Sequence, residues 1–378
     1  MAIIRCFAVI ERVGGRLMND LYAVELFSGA GGLSLGLNKA GFKVVLANEI
    51  ERDFAKTYVN NHTKTKMLND DIRKINFKKE LQKLNIKKIS LVSGGPPCQG
   101  FSTLGSKNEK DNRNNLFYEF LRVVAELNPN YIIFENVAGF KTMYQGKVYK
   151  ELLSKLDKLG FNSTTTILDV SDFGLPQKRL RTIILAWKKE LNKVFLPTAT
   201  HLFGKISLIE AISDLPPIKT NGSSQEYHQV ANNYQKKLRG NCQTLTEHNA
   251  ANYGAKMQEI LSLVPQGGSI NDLPKRLRPK SYFSNTYARL LPGEVAPTIT
   301  RNFGTPSSSR CIHPFQNRAL STREGARLQG FPDNYAFYGS KTSKNLQIGN
   351  AVPPVLGEVI GRQIITSMQY SVKQKIAN

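Results

Sequence analysis

Residues 91–102 read LVSGGPPCQGFS, an apolar run, a Gly-Pro turn and then a thiol, Cys98. The two prolines stiffen the backbone before the cysteine, and Gly94, Gly95 and Gly100 would let a flat substrate come close. A thiolate is a strong nucleophile even when little of it is ionised. A lone loop cysteine is usually inert, so a plain tight turn remains an equal reading until partners are found. Glu135 closes the apolar run YIIFENV, and Arg179 and Arg181 stand two apart in QKRLR, just before the run TIILAW. The arginines could equally form a solvent face or structural ion pairs. At the strand ends of one sheet, however, a thiol, an acid and two guanidiniums would share a cleft.

A second set of residues suits a cofactor. ELFSGAGGLSLGL, residues 25–37, is an apolar run, a Gly-rich turn and a helical pattern. Glycines there let the backbone approach a ligand, and a helix N-terminus offers free N–H groups. The spacing does not fit the dinucleotide fingerprint, so the turn alone is weak. Glu49 ends the next apolar run, where ribose hydroxyls are bound in sheets of this kind. Asp71, after a further apolar stretch, could reach an adenine amino group. Each acid alone is as readily a helix cap or a solvated charge; together they favour an adenosine-containing cofactor.

The elements that must position these groups form a regular series from about residue 21. LYAVELF, KVVLANEI, KISLVSGG, YIIFENV and TIILAW read as strands, with LSLGLNKAG, RDFAKTYVNNH and LFYEFLRVVAEL as helices between them. Strands alternating with helices predict an α/β fold with a parallel sheet. The rhythm fades after about residue 195 into a stretch rich in Pro, Gly, Ser and Asn that suits a smaller, irregular domain. NAVPPVLGEVIGRQIITSMQYSV reads as a helix opened by a proline pair, suited to packing back on the first domain.

The chain has 378 residues, of which 40% are hydrophobic, enough to fold as one large or two smaller domains. Its 52 Lys and Arg against 29 Asp and Glu give a net charge of +23, which favours a polyanion such as nucleic acid over a coat of lysines for solubility. Four scattered cysteines and five histidines lack CxxC and HxxxH spacing, so no metal site is expected and no disulfide framework. No apolar run is long enough to span a membrane and Glu11 and Arg12 interrupt the early apolar patch, so the expected location is cytoplasmic.

GGPPCQGFS, ENV, QKRLR, REGARLQGFP and QIGNAVPP occur in one order after ELFSGAGG. The series resembles that of the DNA (cytosine-5)-methyltransferases of bacterial type, which use S-adenosyl-L-methionine. The resemblance spans about residues 21–370 and is weak only at about 196–290. Ser321 replaces a common threonine and Glu25 a frequent aspartate.

The resemblance implies a Rossmann-like methyltransferase sheet with a smaller target-recognition domain. It sets residues 1–20 as a tail, 21–195 as the catalytic and cofactor-binding domain, 196–338 as the target-recognition domain and 339–378 as a segment returning to the first. The pattern begins near Leu21 with Met18 just before it, so residues 1–17 are expected to be dispensable. Cys98 is implied as the nucleophile on carbon 6 of a cytosine, with Glu135 at ring N3 and Arg181 and Arg179 at O2 and nearby backbone. Phe27, Gly29, Gly31, Glu49, Ile50, Asp71, Ile72, Pro96, Leu116, Asn350 and Val352 are implied around S-adenosylmethionine. Gln99, Ser102, Lys275, Arg276 and Arg278 are candidate DNA contacts, the last three in the basic run LPKRLRPKS, which reads equally as a solvated loop. In REGARLQGFP, a scaffold role is favoured over a helix with Arg327 exposed. The implied substrate is double-stranded DNA, handled by a monomer; a cognate restriction endonuclease is a candidate partner, and a solitary methylase is the other setting. A tRNA cytosine-5 methyltransferase and a catalytically silent DNA-binding relative are the alternatives. A nicotinamide-dependent oxidoreductase would explain the turn and Glu49 but not Cys98, Glu135 and the arginines.

Overall fold

The computed structural model describes residues 21–97, 116–307 and 310–377, with side chains to residue 369. The tail at 1–20, Cys98, Gln99 and Ser102 lie outside the described residues. The first half runs β1 (Tyr22–Leu26), α1 (Gly32–Ala40), β2 (Lys43–Asn48), α2 (Arg52–Asn61), β3 (Lys66–Leu68), α3 (Phe77–Lys83) and β4 (Leu91–Gly94). It continues through α4 (Leu116–Leu127), β5 (Tyr131–Val137), α5 (Lys147–Lys158), β6 (Phe161–Asp169) and β7 (Leu180–Lys188). The seven strands form one sheet in the order β3-β2-β1-β4-β5-β7-β6.

Burial on both faces explains why the central strands are near-continuous apolar runs. Successive side chains point to opposite sides. Val24, Val92, Ile132 and Phe134 face a core with Phe77, Phe120 and Val124, while Ala23, Leu91 and Ile133 face one with Leu33 and Leu37 of α1.

The sheet is mixed, not parallel. β7 runs antiparallel to both β5 and β6. Only residues 170–179 link β6 to β7, and a connection that short turns back on its neighbour, whereas a parallel crossover needs a dozen residues or more. β6, FNSTTTILD, is an edge strand with an exposed, threonine-rich sequence, so it lacks the apolar run that marks its neighbours.

Beyond residue 195 come α6 (Leu208–Ile212), α7 (Asn233–Arg239), α8 (Ala255–Leu263), α9 (Thr322–Leu328), α10 (Lys341–Asn350) and α11 (Pro354–Ala377). The stretch expected as one small domain packs as two parts. Ile260, Leu261, Ile270, Leu273 and Ile312 form a core of their own. Leu208, Leu290, Ala326 and Phe331 instead share a core with Ala30 of the Gly-rich turn and Ile348 of α10. α11 opens on Pro354, whose missing N–H costs nothing at a first helical position, and lies along α1 through Leu356, Ile360 and Ile364.

Arg327 in α9 is fully buried. Its guanidinium is paired with Asp214 at 2.7 Å and with Asp333 at 2.6 Å. Arg318 meets Glu324 of the same helix at 2.7 Å. Buried charges survive only when paired in this way, so REGARLQGFP knits α6, α9 and residue 333 together and does not present a basic face.

Candidate active site

The order of the sheet selects one edge. β1 is followed by β2 on one side, and β4 lies on its other side. That reversal opens a crevice at the C-terminal ends of β1 and β4, the place where open α/β sheets bind ligands. The turn after β1, the acids after β2 and β3, residues 95–97 after β4 and Glu135 near the end of β5 all meet this edge. β7, being antiparallel, begins there, with Arg181 as its second residue.

On the cofactor side, Phe27 has φ 55 and Gly29 has φ 56. A phenylalanine with left-handed backbone is strained by about 1 kcal/mol, and such outliers gather where a turn must serve a ligand. Gly29 N–H donates to Glu49 Oε2 at 2.8 Å, and Glu51 N–H donates to Glu49 Oε1 at 2.9 Å. Burial raises the Glu49 carboxyl pKa, opposed by those N–H donors. Glu49 thus joins the end of β2 to the Gly-rich turn. Ile50 beside it is 60% exposed, an uncovered apolar surface next to an acid.

Asp71 is placed at the same edge but is engaged. Arg73 Nε lies 2.9 Å from its Oδ1, and this pairing holds the Asp71 carboxyl below the usual range. The Ile72 side chain is buried in the core beneath the edge, so only its backbone could face a ligand. Leu116 opens α4 and packs partly on the same core. Asn350 ends α10, exposed, and Val352 is half-buried beside α11.

On the catalytic side, Arg181 Nε lies 2.8 Å from Glu135 Oε1. Register explains the pairing: Val137 stands opposite Arg181 across β5 and β7. A Cβ on Gly95 would lie 2.6 Å from Glu135 Oε2 and 3.1 Å from the Glu135 carbonyl oxygen, so any larger residue there would push the carboxylate away from its pairing with Arg181. Asn136 Nδ2 donates to the Pro96 carbonyl at 3.1 Å. Pro96, which is buried, is therefore tied beside Glu135, immediately before Pro97 and Cys98. Of the described cysteines, Cys311 is fully buried, and burial raises the Cys242 thiol pKa; neither suits a nucleophile.

Arg179 is not where its pairing with Arg181 suggested. It is 1% exposed, and its guanidinium donates to the carbonyls of Ile299 at 3.0 Å, Gly349 at 2.8 Å and Ala351 at 3.1 Å. With Gln177, which donates to the Leu328 carbonyl at 3.0 Å, it fastens the start of β7 to the second half of the chain. Strand alternation would put residues two apart on one face, but Arg179 precedes β7, which starts at Leu180, and the carbonyls of Ile299, Gly349 and Ala351 draw its guanidinium inward while Arg181 stays at the edge.

The basic run is partly spent on itself. Arg278 donates to the carbonyls of Leu273 at 2.8 Å and Asn271 at 2.7 Å. Arg276 meets Glu259 at 2.5 Å in an exposed pair, which binds too weakly to withhold the charge from another anion. Lys275 is exposed. The residues that sequence reasoning passed over are His62 and Tyr335, which press on the Gly-rich turn from beneath; neither belongs to a motif with chemistry of its own. Among the described residues no group of His, Cys, Asp and Glu could hold a metal ion, and no helix is long and apolar enough to cross a membrane.

Residues 21–366 match the C-5 cytosine-specific DNA methylase family. The chain is 34% identical to the type II methyltransferase M1.HphI of Haemophilus parahaemolyticus, over 92% of this chain and 87% of that one. It is 32% identical to the type II methyltransferase M.DdeI of Desulfomicrobium norvegicum, over 90% and 88%. Its structure superposes with a TM-score of 0.77 on a prophage-encoded Escherichia coli protein described as a DNA modification methyltransferase, 27% identical, covering 93% of this chain and 100% of that one. The fold is also that of Spodoptera frugiperda DNMT2, with a TM-score of 0.61 at 18% identity, covering 92% and 99%. The family match and the relatives place the α/β fold among the methyltransferases. Within that class, the chain belongs to the C-5 cytosine-specific DNA methylases and is a DNA (cytosine-5-)-methyltransferase.

Proposed function

We propose that the protein methylates carbon 5 of a flipped-out cytosine in a specific duplex DNA sequence, with S-adenosylmethionine as donor and a covalent Cys98–C6 intermediate. The observation that carries this reading is the Glu135–Arg181 pair at 2.8 Å, set against Gly95 on the segment leading to Cys98. The donor set fits S-adenosylmethionine: Glu49 for ribose hydroxyls, exposed Ile50 for the adenine face and the turn at Phe27, Gly29 and Gly31 for the rest. When bound, that group supplies an electrophilic methyl.

The chain's own groups account for the remainder. Carbon 5 of cytosine is a poor nucleophile. The Cys98 thiolate adds to carbon 6, and Glu135, hydrogen-bonded at ring N3, favours the addition by neutralising the charge that develops there. Arg181 reaches O2 while its Nε orients Glu135. Carbon 5 then takes the methyl as the donor's S–CH3 bond breaks and S-adenosylhomocysteine is left, a base or water takes the C5 proton, and the C6–S bond breaks to return the thiolate. None of this can occur inside a duplex, so the base leaves the stack at a cost of about a few kcal/mol.

Both halves of the site lie on one chain, so a monomer suffices. The type II relatives support a restriction-modification setting, with an endonuclease that cuts the same unmethylated site. Target choice is assigned to residues 196–338. The test is to map 5-methylcytosine in DNA from cells expressing the protein, and to compare duplex DNA with tRNA as substrates for the purified chain. Methylation of cytosine in one short DNA sequence supports the reading; methylation of tRNA alone overturns it.

A further inference from the structure

We propose that His62 and Tyr335 are positioning residues for the methyl donor, which act by holding the Ala30 carbonyl and with it the Gly-rich turn. The inference rests on the assignment of that turn to S-adenosylmethionine. Tyr335 is 3% exposed, and its hydroxyl donates to the Ala30 carbonyl across 305 residues of sequence. The same hydroxyl lies 3.0 Å from His62 Nε2.

Proton accounting fixes the rest. A carbonyl only accepts, so the single tyrosine hydrogen goes to Ala30. Tyr335 Oη must then accept from His62 Nε2–H, which selects the neutral Nε2–H tautomer. Burial lowers the His62 pKa to about 4, so the ring is neutral under ordinary conditions. The relay runs from imidazole through phenol to the turn, and the His62 ring also meets the Gly31 backbone of that turn directly.

Shape adds a second, independent observation. Gly31 has φ 88, and a Cβ there would lie 2.8 Å from His62 Cδ2 and 2.9 Å from Tyr335 Oη. Imidazole and phenol therefore occupy the space under Gly31. His62 is itself seated on Tyr58, with ring centroids 4.4 Å apart, and its backbone N–H donates to the Tyr58 carbonyl at 2.9 Å. Tyr335 is seated on Phe331 and Phe337, at 4.8 and 5.4 Å. Both side chains bear on the turn after β1, at Ala30 and Gly31. Their effect should fall on donor affinity and not on the chemical step.

The test measures S-adenosylhomocysteine binding by calorimetry on the full chain, together with steady-state methylation. Tyr335→Phe keeps the ring and removes the hydroxyl, leaving a buried N–H and C=O without their partner. Its dissociation constant should rise about tenfold, and KM for S-adenosylmethionine likewise, with kcat within about twofold. His62→Leu should cost at least as much, since it also removes the ring's contact with Gly31, and the loss in Tyr335→Phe with His62→Leu should fall short of the sum of the two, since both break one relay. His62→Gln, which keeps a donor, should recover much of the affinity and guards against loss of folding, checked by circular dichroism. Unchanged binding in Tyr335→Phe, additive losses, or a fall in kcat at unchanged KM overturns the inference. Failure of the wild type to bind S-adenosylhomocysteine overturns the parent reading as well.

Discussion

Arg181 and Glu135 reach each other from antiparallel neighbours, β7 and β5, with Nε and Oε1 2.8 Å apart. The pairing leaves Glu135 Oε2 against Gly95, so one oxygen is fixed by the arginine and the other faces the segment that leads to Cys98. Glu135→Gln keeps the shape and removes the proton chemistry. It should lower kcat by about 10²–10⁴, the usual worth of a positioned acid or base, with thermal unfolding little changed. Near-normal turnover in that variant would remove Glu135 from the chemistry.

Arg179 should matter for stability first. Arg179→Met would leave the buried carbonyls of Ile299 and Gly349 without their donor, while Ala351 would keep Gln329 Nε2. The expected loss is roughly 3 kcal/mol, read as a lower urea midpoint. A variant that unfolds normally yet fails to methylate would return Arg179 to the substrate.

Glu25 offers a pH test. It is 2% exposed at the core end of β1, hydrogen-bonded to Ser34, which in turn meets the Tyr58 hydroxyl at 2.6 Å. Burial pushes its pKa from 4.5 up to about 8, and Glu49 adds to the shift. The folded state therefore holds a proton that the unfolded chain releases. Stability from this group is complete below pH 4.5 and is lost as pH rises through about 8, on the order of 4–5 kcal/mol in all. Glu25→Gln is neutral throughout. Its urea midpoint should exceed the wild type's at pH 9 and converge with it near pH 5; a difference independent of pH would contradict this.

The basic run should read as salt dependence. Replacing Lys275, Arg276 and Lys280 with Gln, while sparing Arg278 for its loop, should reduce the slope of log K against log salt for non-cognate duplex by about 2–3. An unchanged slope would place these residues off the DNA.

Much of the site edge is legible in the sequence because its parts are local. A buried strand, a turn and a helix are written consecutively in ELFSGAGGLSLGL, and YIIFENV coincides with β5. What is not legible is set by distant partners. Arg179 and Arg181 are two residues apart and look alike, yet only the positions of Ile299, Gly349 and Ala351 decide that one is buried. Thr164, Thr165 and Thr166 of β6 have no apolar signature because an edge strand needs little. His62 and Tyr335 meet only after the chain has closed on itself.

The central claim is the bond between Cys98 and carbon 6. The adduct resolves only when the C5 proton leaves, and fluorine at C5 cannot leave as a cation. With S-adenosylmethionine and a duplex carrying 5-fluorocytosine at the target base, the protein should form a complex that survives denaturing electrophoresis, and peptide mapping should place the DNA on Cys98. Cys98→Ser should form none, because a serine hydroxyl is far less ionised and less nucleophilic. A complex through Cys242 or Cys311, or no complex from a protein that methylates ordinary DNA at carbon 5, would contradict the account.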